Sequence, residues 1–447
     1  MTVVDVATAE TVELLQTMIR NACVNDGTAA SGQEVRSADV LQSFLEGAGL
    51  DVESYEPTPG RRSVVARIEG TDPTAPTLML MGHTDVVPVS PAGWQRDPFG
   101  GELVDGEVWG RGAIDMLSLT ASMAVATKHL ARQGWRPRGT LVYLGVADEE
   151  AGGEHGADWL VQHELDAVGA DYVLTESGGW TVDGPDGSKV VVTVGEKGAA
   201  WRRLRVHGTP AHGSMPFGTD NALVKAAEVV RRVATYRPAA EINDVWRAYA
   251  ASLDLDAETR AALVDPARVW DACESIADAR TAKFAHACTH TTFSPDVVHG
   301  GTKTNVIPDE VVLEVDIRIL PGQTSDDVDR MLADALGPLA THVTVEHLHD
   351  RPSSQSPTDT PLWHAIEGLV AKVQPEATLL PRITAGGTDA TFFRDAGSVA
   401  YGFGLLSRAV TYEDFSSRFH GNDERIDVES LRLTTQCWLD LCPSFLG

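Results

Sequence analysis

The stretch LVYLGVADEE, Leu141 to Glu150, joins a run of apolar residues to three adjacent carboxylates. The apolar run is continuous, which is typical of a strand buried on both faces of a sheet. Asp148, Glu149 and Glu150 repel one another unless something compensates their charge. A solvated loop is the ordinary explanation of such a triplet. A cation bound at the end of the strand is the other explanation.

Helices and strands alternate on either side of this strand. Apolar residues recur at helical spacing over 11–19, 35–48 and 118–133, and strand patterns cover 61–68, 77–81, 139–146 and 171–174. Buried strands that alternate with helices require helices on both faces of their sheet. The sequence therefore predicts an α/β fold with a doubly wound, mixed sheet.

The pattern changes after residue 189. Strands are predicted at 190–194, 201–207, 311–320 and 343–349, helices at 221–234 and 325–336, and a helical stretch at 241–280. This segment reads as a compact α+β unit of its own. The Pro- and Ser-rich stretch 351–361 reads as a linker, after which the first pattern resumes. We predict a first domain in two parts, 1–194 and 351–447, with a second domain, 195–350, inserted between them.

Composition limits the possible partners and location. The chain has 36 basic and 64 acidic residues, and its formal net charge of −28 disfavours nucleic acid and anionic membranes. Its five cysteines show no CxxC spacing, which indicates reduced thiols rather than a disulfide framework or a thiolate zinc site. There is neither a signal-peptide pattern nor an apolar run of about 20 residues. We expect a cytoplasmic protein without a nucleic-acid or membrane partner.

Polar side chains follow several predicted strands. In open α/β sheets, ligand sites lie at the carboxyl ends of the strands. A lone His or acidic triplet is more often structural, but here two imidazoles and several carboxylates share that edge. The candidates are His83, Asp85, Asp115, Glu149, Glu150, Glu176 and His420.

These residue types suit zinc. Histidine nitrogen and carboxylate oxygen are zinc ligands, and a single catalytic zinc needs only three protein ligands. A larger set fits two metals that share one carboxylate, as in aminopeptidase-type hydrolases. Two dications also compensate crowded carboxylates. The motif HACTH, 286–290, lies in the inserted domain without carboxylate partners for a metal site and is interpreted as structural.

Five motifs occur in the order known from one enzyme family. They are GHTDVVP, GRGAIDM, DEEAGG, GTPAHGSMP and TNVIPDEVVLEVDIRILPG, within residues 11–426. The chain resembles the dinuclear-zinc amidohydrolase and exopeptidase family, which includes acetylornithine deacetylase, succinyl-diaminopimelate desuccinylase, aminoacylase and carboxypeptidase G. The resemblance implies a catalytic zinc domain and an inserted lid domain of the dimerisation type.

The resemblance also implies roles for the metal-type residues. His83 and Glu176 would bind one zinc, Glu150 and His420 the other, and Asp115 would bridge them, with cobalt or manganese as replacement metals. Asp85 would steady an imidazole. Glu149 would be the general base that takes a proton from the attacking water. The family further implies a cis peptide bond between Asp115 and Met116.

Residues of the lid domain receive substrate roles in the same way. His212 would stabilise the oxyanion, from its own or a partner subunit, and Arg318 would clamp a substrate carboxylate. Asn305, Gly387 and Thr388 would line the same pocket. Without the resemblance, an ion pair with Asp316 is the better interpretation of Arg318. The lid also carries an extra helical stretch, 237–290, compared with short dimeric relatives, which leaves open the dimer geometry and the source of His212; a homodimer through the lid is one option.

The sequence therefore predicts a metal-dependent hydrolase that cleaves the amide bond of small N-acyl amino acids with a free carboxylate. A dipeptidase or carboxypeptidase of the same family is the alternative. A catalytically inactive zinc-binding assembly protein is a remote third possibility, against which Glu149 and the complete ligand set argue. An esterase is disfavoured because the chain has no GxSxG motif.

Overall fold

The structure is a computed structural model that describes residues 3–447. It divides into two compact units. The first comprises the chain up to Val194, Ser356–Arg382 and Thr388–Gly447, and the second comprises Gly195–Gln355 and Ile383–Gly387. The domain boundaries inferred from the sequence, 1–194, 195–350 and 351–447, stay a prediction. The observed division returns to the first unit at Ser356 and assigns 383–387 to the second.

The elements are numbered along the described chain. The helices are α1 (Val3–Asn21), α2 (Val35–Glu46), α3 (Leu117–Arg132), α4 (Ala157–His163), α5 (Leu165–Val168), α6 (Ala222–Ala234), α7 (Asp244–Ser252), α8 (Ala257–Leu263), α9 (Val269–Ser275), α10 (Ala279–Thr289), α11 (Ser325–Leu336), α12 (Pro361–Val373), α13 (Ala390–Asp395), α14 (Tyr412–Arg418) and α15 (Val428–Leu446). The strands are β1 (Val52–Thr58), β2 (Arg61–Ile68), β3 (Thr77–His83), β4 (Glu102–Val104), β5 (Glu107–Trp109), β6 (Thr140–Val146), β7 (Tyr172–Thr175), β8 (Thr181–Gly184), β9 (Gly187–Glu196), β10 (Gly198–His207), β11 (Ala211–His212), β12 (Thr292–Gly300), β13 (Val306–Ile307), β14 (Glu310–Ile319), β15 (Val343–Arg351), β16 (Ser354–Gln355), β17 (Thr378–Thr384), β18 (Val399–Gly402) and β19 (Arg425–Asp427).

The first unit is built on a mixed sheet with the order β1-β2-β6-β3-β7-β18-β9. β3 runs parallel to β6 and β7, and β7 runs parallel to β18, whereas β1, β2 and β9 pair antiparallel with their neighbours. The α/β class and the mixed sheet are therefore confirmed.

Helices cover both faces of this sheet, as the continuous apolar strands require. On one face, Val142, Leu144 and Val146 of β6 belong to a buried cluster that includes residues of α4, α5 and α13. On the other face, the Tyr143 hydroxyl donates to the carbonyl of Thr120 in α3, and α3 packs with α1 and α15. The parallel pairing of β3 with β6 sets His83 opposite Val146 and so brings both strand exits together.

The second unit contains an antiparallel sheet with the order β12-β14-β10-β15. Alternate residues of β10 and β14 face α6 and α11 and form its buried core. The helical stretch predicted at 241–280 is four short helices, α7 to α10, that end at Thr289. β12 was not predicted, because Pro295 interrupts it and most of its residues are exposed.

The remaining predicted elements are present, most of them with small shifts at their ends. The helix predicted at 11–19 occupies Val3–Asn21, and the strand predicted at 77–81 runs to His83. All five cysteines are buried and free of disulfides. Their reduced state in the cell stays a prediction. A cytoplasmic location stays a prediction. Within residues 3–447, no helix combines the length and apolar character needed to cross a membrane.

Candidate metal centre

The candidate metal centre lies where β3, β6 and β7 end. His83 is the last residue of β3, Glu149 and Glu150 lie in a single 3₁₀ turn (Glu149–Ala151) after β6, and Glu176 directly follows β7. Ligand atoms of His83, Glu149 and Glu176 all lie within 4.8 Å of one another. Ligand atoms of His83, Asp115 and Glu150 do so as well. The structure therefore brings these predicted residues together.

Asp115 stands between the two imidazoles. Its Oδ1 is 3.1 Å from Nε2 of His83, and its Oδ2 is 2.8 Å from Nε2 of His420. Nε2 of His420 is also 3.3 Å from Oε2 of Glu150. Each oxygen of Asp115 thus faces a different histidine, which is the arrangement that a bridging carboxylate needs. The cis peptide bond expected between Asp115 and Met116 is present.

The three glutamates of this cluster resist ionisation in the absence of a cation. Burial raises the pKa of Glu149 and of Glu176 well above the usual range, and the charges of neighbouring carboxylates, Asp115 among them, add to the effect. Burial and the charge of Asp115 raise the pKa of Glu150 to about 7. A cation at this position would hold all of these side chains ionised.

Burial and hydrogen bonding act in opposite directions on the other three groups. Burial lowers the pKa of His420, but its contacts with Asp115 and Glu150 dominate and raise it to about 10. Burial likewise lowers the pKa of His83, yet Asp115 and the nearby glutamates raise it well above the usual value. For Asp115, burial raises the pKa, while hydrogen bonds from both histidines bring it below the usual range.

The donor set fits a zinc-type ion. Oε1 of Glu150 is buried and has no hydrogen-bond partner within residues 3–447, so one ligand-type oxygen is left for a cation. Nδ1 of His83 is 3.0 Å from the carbonyl oxygen of Asp85, which leaves Nε2 to face the centre. Metal-ligating histidines commonly bond through their second nitrogen in this way. Oxygen and imidazole donors without thiolate suit zinc and similar ions.

Asp85 and Asp148 lie behind the centre and shape the turn that carries the two glutamates. Oδ1 of Asp85 accepts from the backbone N–H of Glu149 at 3.3 Å, and Oδ2 accepts from that of Glu150 at 3.1 Å. Asp148 has a left-handed backbone with φ of 71°, and its carboxylate accepts from the backbone N–H of His155. Asp148, for which the sequence indicated no role, therefore closes the turn.

A second carboxylate holds the loop of Asp115. Glu424 is fully buried, and its oxygens accept from the backbone N–H groups of Gly112, Ile114 and Asp115 at 2.7–3.1 Å. Arg111 pairs with it at 2.7 Å. Sequence reasoning missed this pair because more than 300 residues separate its members. The only signal in the sequence was that Glu424 lies four residues after His420.

His212 and Asn305 belong to the second unit. β11 and β13 pair His212 with Val306, and the carbonyl of Asn305 accepts from the backbone N–H of Gly213 at 2.9 Å. The His212 side chain is exposed, and its Nδ1 is 2.7 Å from the Ser214 hydroxyl. These two predicted substrate residues therefore lie beside the same short antiparallel strand pair, β11 with β13.

Arg318 is engaged in the ion pair that the sequence offered as its alternative role. Its Nε and Nη2 donate to the two carboxylate oxygens of Asp316 at 2.7 and 3.0 Å, and its guanidinium lies over the Trp201 ring. Gly387 also belongs to the second unit, whereas Thr388 is buried in the first, where its hydroxyl accepts from the backbone N–H of Ala390.

A buried group of carboxylates and imidazoles at the carboxyl edge of an α/β sheet defines a metal-dependent hydrolase site. The family model for Peptidase family M20/M25/M40 matches residues 79–443, which include every residue of the centre. The chain belongs to this family, and it is a metal-dependent amidohydrolase or peptidase.

Similar proteins include two types of enzyme. The chain is 28% identical over 394 residues to the N-fatty-acyl-amino acid synthase/hydrolase PM20D1 of Xenopus tropicalis, covering 86% of this chain and 75% of the relative. It is 27% identical over 378 residues to aminoacylase-1B of Rattus norvegicus, covering 83% and 82%. An M20 family metallo-carboxypeptidase from Sulfolobus solfataricus shares the fold with a TM-score of 0.75 at 19% identity, over 98% of this chain and 99% of that one.

Proposed function

We propose that this protein hydrolyses the amide bond of N-acyl amino acids that carry a free carboxylate. The observation that carries the proposal is the placement of Glu149. Its carboxylate lies beside His83 and Glu176. A general base needs a position next to the attacking water. The two relatives named for acyl amino acid chemistry favour the same substrate class.

The residues present fit two zinc ions, for which cobalt or manganese could substitute. His83 and Glu176 would hold one ion, Glu150 and His420 the other, and Asp115 both. When bound, such a pair polarises a carbonyl group and lowers the pKa of a water molecule. The metal identity and number rest on the donor set and on the bridging position of Asp115.

The side chains would divide the remaining chemistry between them. Glu149 removes a proton from the attacking water and delivers it to the leaving nitrogen, so that it ends the cycle ionised as it began. Asp85 holds the His83 imidazole and the backbone of Glu149 in place. His212 would donate to the oxyanion of the tetrahedral intermediate.

Arg318 would bind the substrate carboxylate, with Asn305, Gly387 and Thr388 lining the pocket. Because Nε and Nη2 of Arg318 already contact Asp316, a substrate carboxylate would bind through Nη1 or replace Asp316. Bidentate carboxylate binding is a property of arginine that lysine lacks.

A dipeptidase or carboxypeptidase is the alternative function, and the metallo-carboxypeptidase with the same fold keeps it open. A screen of the zinc-loaded protein against N-acetyl amino acids and the matched dipeptides separates the two. Faster turnover of the N-acyl series, measured as kcat/KM for each pair, supports the deacylase. Preference for substrates with a free α-amino group would assign the protein to the peptidases. Inactivity towards both series would contradict both.

We also propose that the protein forms a homodimer through its second unit. Its surface exposes Met215, Phe217, Leu223 and Val224, residues that are 50–101% accessible. Exposed apolar patches commonly mark protein contacts. Light scattering measures the state directly: a dimer mass that Phe217→Ser converts to a monomer mass supports this surface, and a monomeric wild-type protein contradicts it.

A further inference from the structure

Asn25 joins the two strand exits behind the metal centre. It is buried in the loop that follows α1, and its Nδ2 donates to Oδ2 of Asp85 at 2.9 Å and to Oδ1 of Asp148 at 3.1 Å. Asp85 follows β3, and Asp148 follows the neighbouring parallel strand β6. One amide group therefore holds together two buried carboxylates that would otherwise repel each other.

The orientation of this amide follows from its other partners. Oδ1 of Asn25 accepts from Nη2 of Arg61 at 3.1 Å and from the backbone N–H of Gly27 at 3.1 Å. Both groups can only donate, so the oxygen must face them and the NH₂ group must face the carboxylates. Nη1 of Arg61 binds Glu34 at 2.7 Å and lies 3.4 Å from Asp148. The buried ion pair thus fixes the amide.

Asp85 connects Asn25 to the turn of Glu149 and Glu150 and lies next to His83. Its two oxygens accept from the backbone N–H groups of Glu149 and Glu150, and Oδ1 lies 3.6 Å from Nδ1 of His83. The Asp85 carboxylate therefore faces the imidazole of one ligand and the backbone of the base at the same time. A rotation of this carboxylate would break its hydrogen bonds to the backbone of Glu149 and Glu150.

We propose that Asn25 is a positioning residue, whose amide fixes the Asp85 carboxylate and thereby the turn that carries Glu149 and Glu150. The catalytic part of this inference rests on the proposed hydrolase function. The part that concerns metal affinity does not, since it depends only on the ligand geometry.

The test compares Asn25→Asp with the wild-type protein. Asn25→Asp has nearly the same size but replaces the donor with an acceptor that faces two carboxylates. Loss of a partner behind a metal ligand typically costs about 10- to 100-fold in metal affinity or activity. We expect kcat on the best substrate of the screen to fall by about that factor with KM within about twofold, and zinc affinity measured by calorimetry on the metal-free protein to fall as well. Asn243→Asp is the matched control, because its side chain caps α7 and aspartate caps equally well.

The double variant Asn25→Asp/Asp148→Asn separates positioning from folding. It restores the buried charge, so its melting temperature should return towards that of the wild type, but Asp85 still lacks its donor. We expect kcat and zinc affinity to stay low in this variant. Full recovery of kcat and zinc affinity in the double variant, together with its stability, would overturn the proposal. Wild-type kcat and zinc affinity in Asn25→Asp itself would overturn it as well. If the wild-type protein hydrolyses nothing in the screen, the proposed function fails, and the zinc affinities alone still decide the role of Asn25.

Discussion

The three carboxylates of Asp148, Glu149 and Glu150 are adjacent in sequence, yet the protein treats them in opposite ways. Asp148 belongs to a layer behind the centre, where Asn25, Arg61 and the backbone of His155 surround its oxygens. Glu150 belongs to the cluster in front, where one of its oxygens has no hydrogen-bond partner within the described chain. Both oxygens of Asp148 therefore have donors within the protein, whereas Oε1 of Glu150 has none within the described chain.

This difference identifies which acidic residues need a cation. A buried carboxylate is costly unless donors or a charge compensate it. Arg61 and Arg111 supply that charge in the layer, where they pair with Glu34 and Glu424. The cluster holds four carboxylates, those of Asp115, Glu149, Glu150 and Glu176, which two dications would neutralise.

Metal removal tests the cluster most severely. A chelator should abolish hydrolysis and lower the melting temperature, because the cluster then keeps its buried carboxylates without compensation. Added zinc should restore both. Activity that persists in protein shown by elemental analysis to be metal-free would contradict the assignment.

Glu149→Gln is the next largest effect that we expect. The amide cannot accept the proton of the attacking water, so the rate should fall at least about 10²-fold while both metals remain bound. Kinetics and metal content are measured on the same preparation. Glu154→Gln, an exposed position in the same loop, should leave the rate unchanged. Near-normal turnover of Glu149→Gln would assign the base to another residue.

Arg111→Met tests the layer. It leaves Glu424 buried without its cation, and breaking a buried ion pair costs about 3–5 kcal/mol. Urea unfolding of the metal-free protein should show this loss in the transition of the first unit. Arg432→Met on α15 breaks an exposed pair with Glu429 and should cost at most about 0.5 kcal/mol. Equal losses in the two variants would mean that burial does not distinguish these pairs.

The cluster and Asp85 were predictable from sequence, and the rest of the layer was not. His83, Glu149, Glu150 and Glu176 follow apolar strands, and the carboxyl edge of an α/β sheet collects such residues. Asn25, Arg61, Arg111 and Glu424 carry no comparable pattern. Each acts through a partner 27 or more residues away in the chain, and the contact exists only after the sheet and its loops have formed.

Two features of the second unit, one missed and one foreseen, have local explanations. The sequence of β12 contains a proline and lacks alternation, so only its pairing with β14 makes it a strand. The ion pair of Arg318 with Asp316 was foreseen because two residues on one strand share a face. Periodicity therefore predicted the sheet and the strand exits, whereas long-range polar pairing could be found only in the folded structure.

Lys197 in the second unit extends the comparison to a buried cation. Its Nζ donates to the carbonyls of Ala287 and His290, and burial lowers its pKa to about 7. Between pH 7 and the pKa of an unfolded lysine near 10.4, the unfolded chain binds the extra proton, so stability should rise with pH by at most about 1.4 kcal/mol per unit. Urea unfolding across this pH range should show the rise in stability in the control variant Lys283→Met, because Lys283 is exposed on α10. The Lys197→Met variant should not show it. If the wild-type protein shows no such rise in stability with pH, Lys197 stays protonated in the folded state. Hydrogen bonds to carbonyls would then be enough to hold this buried charge, whereas the acidic cluster holds its charges only with a metal.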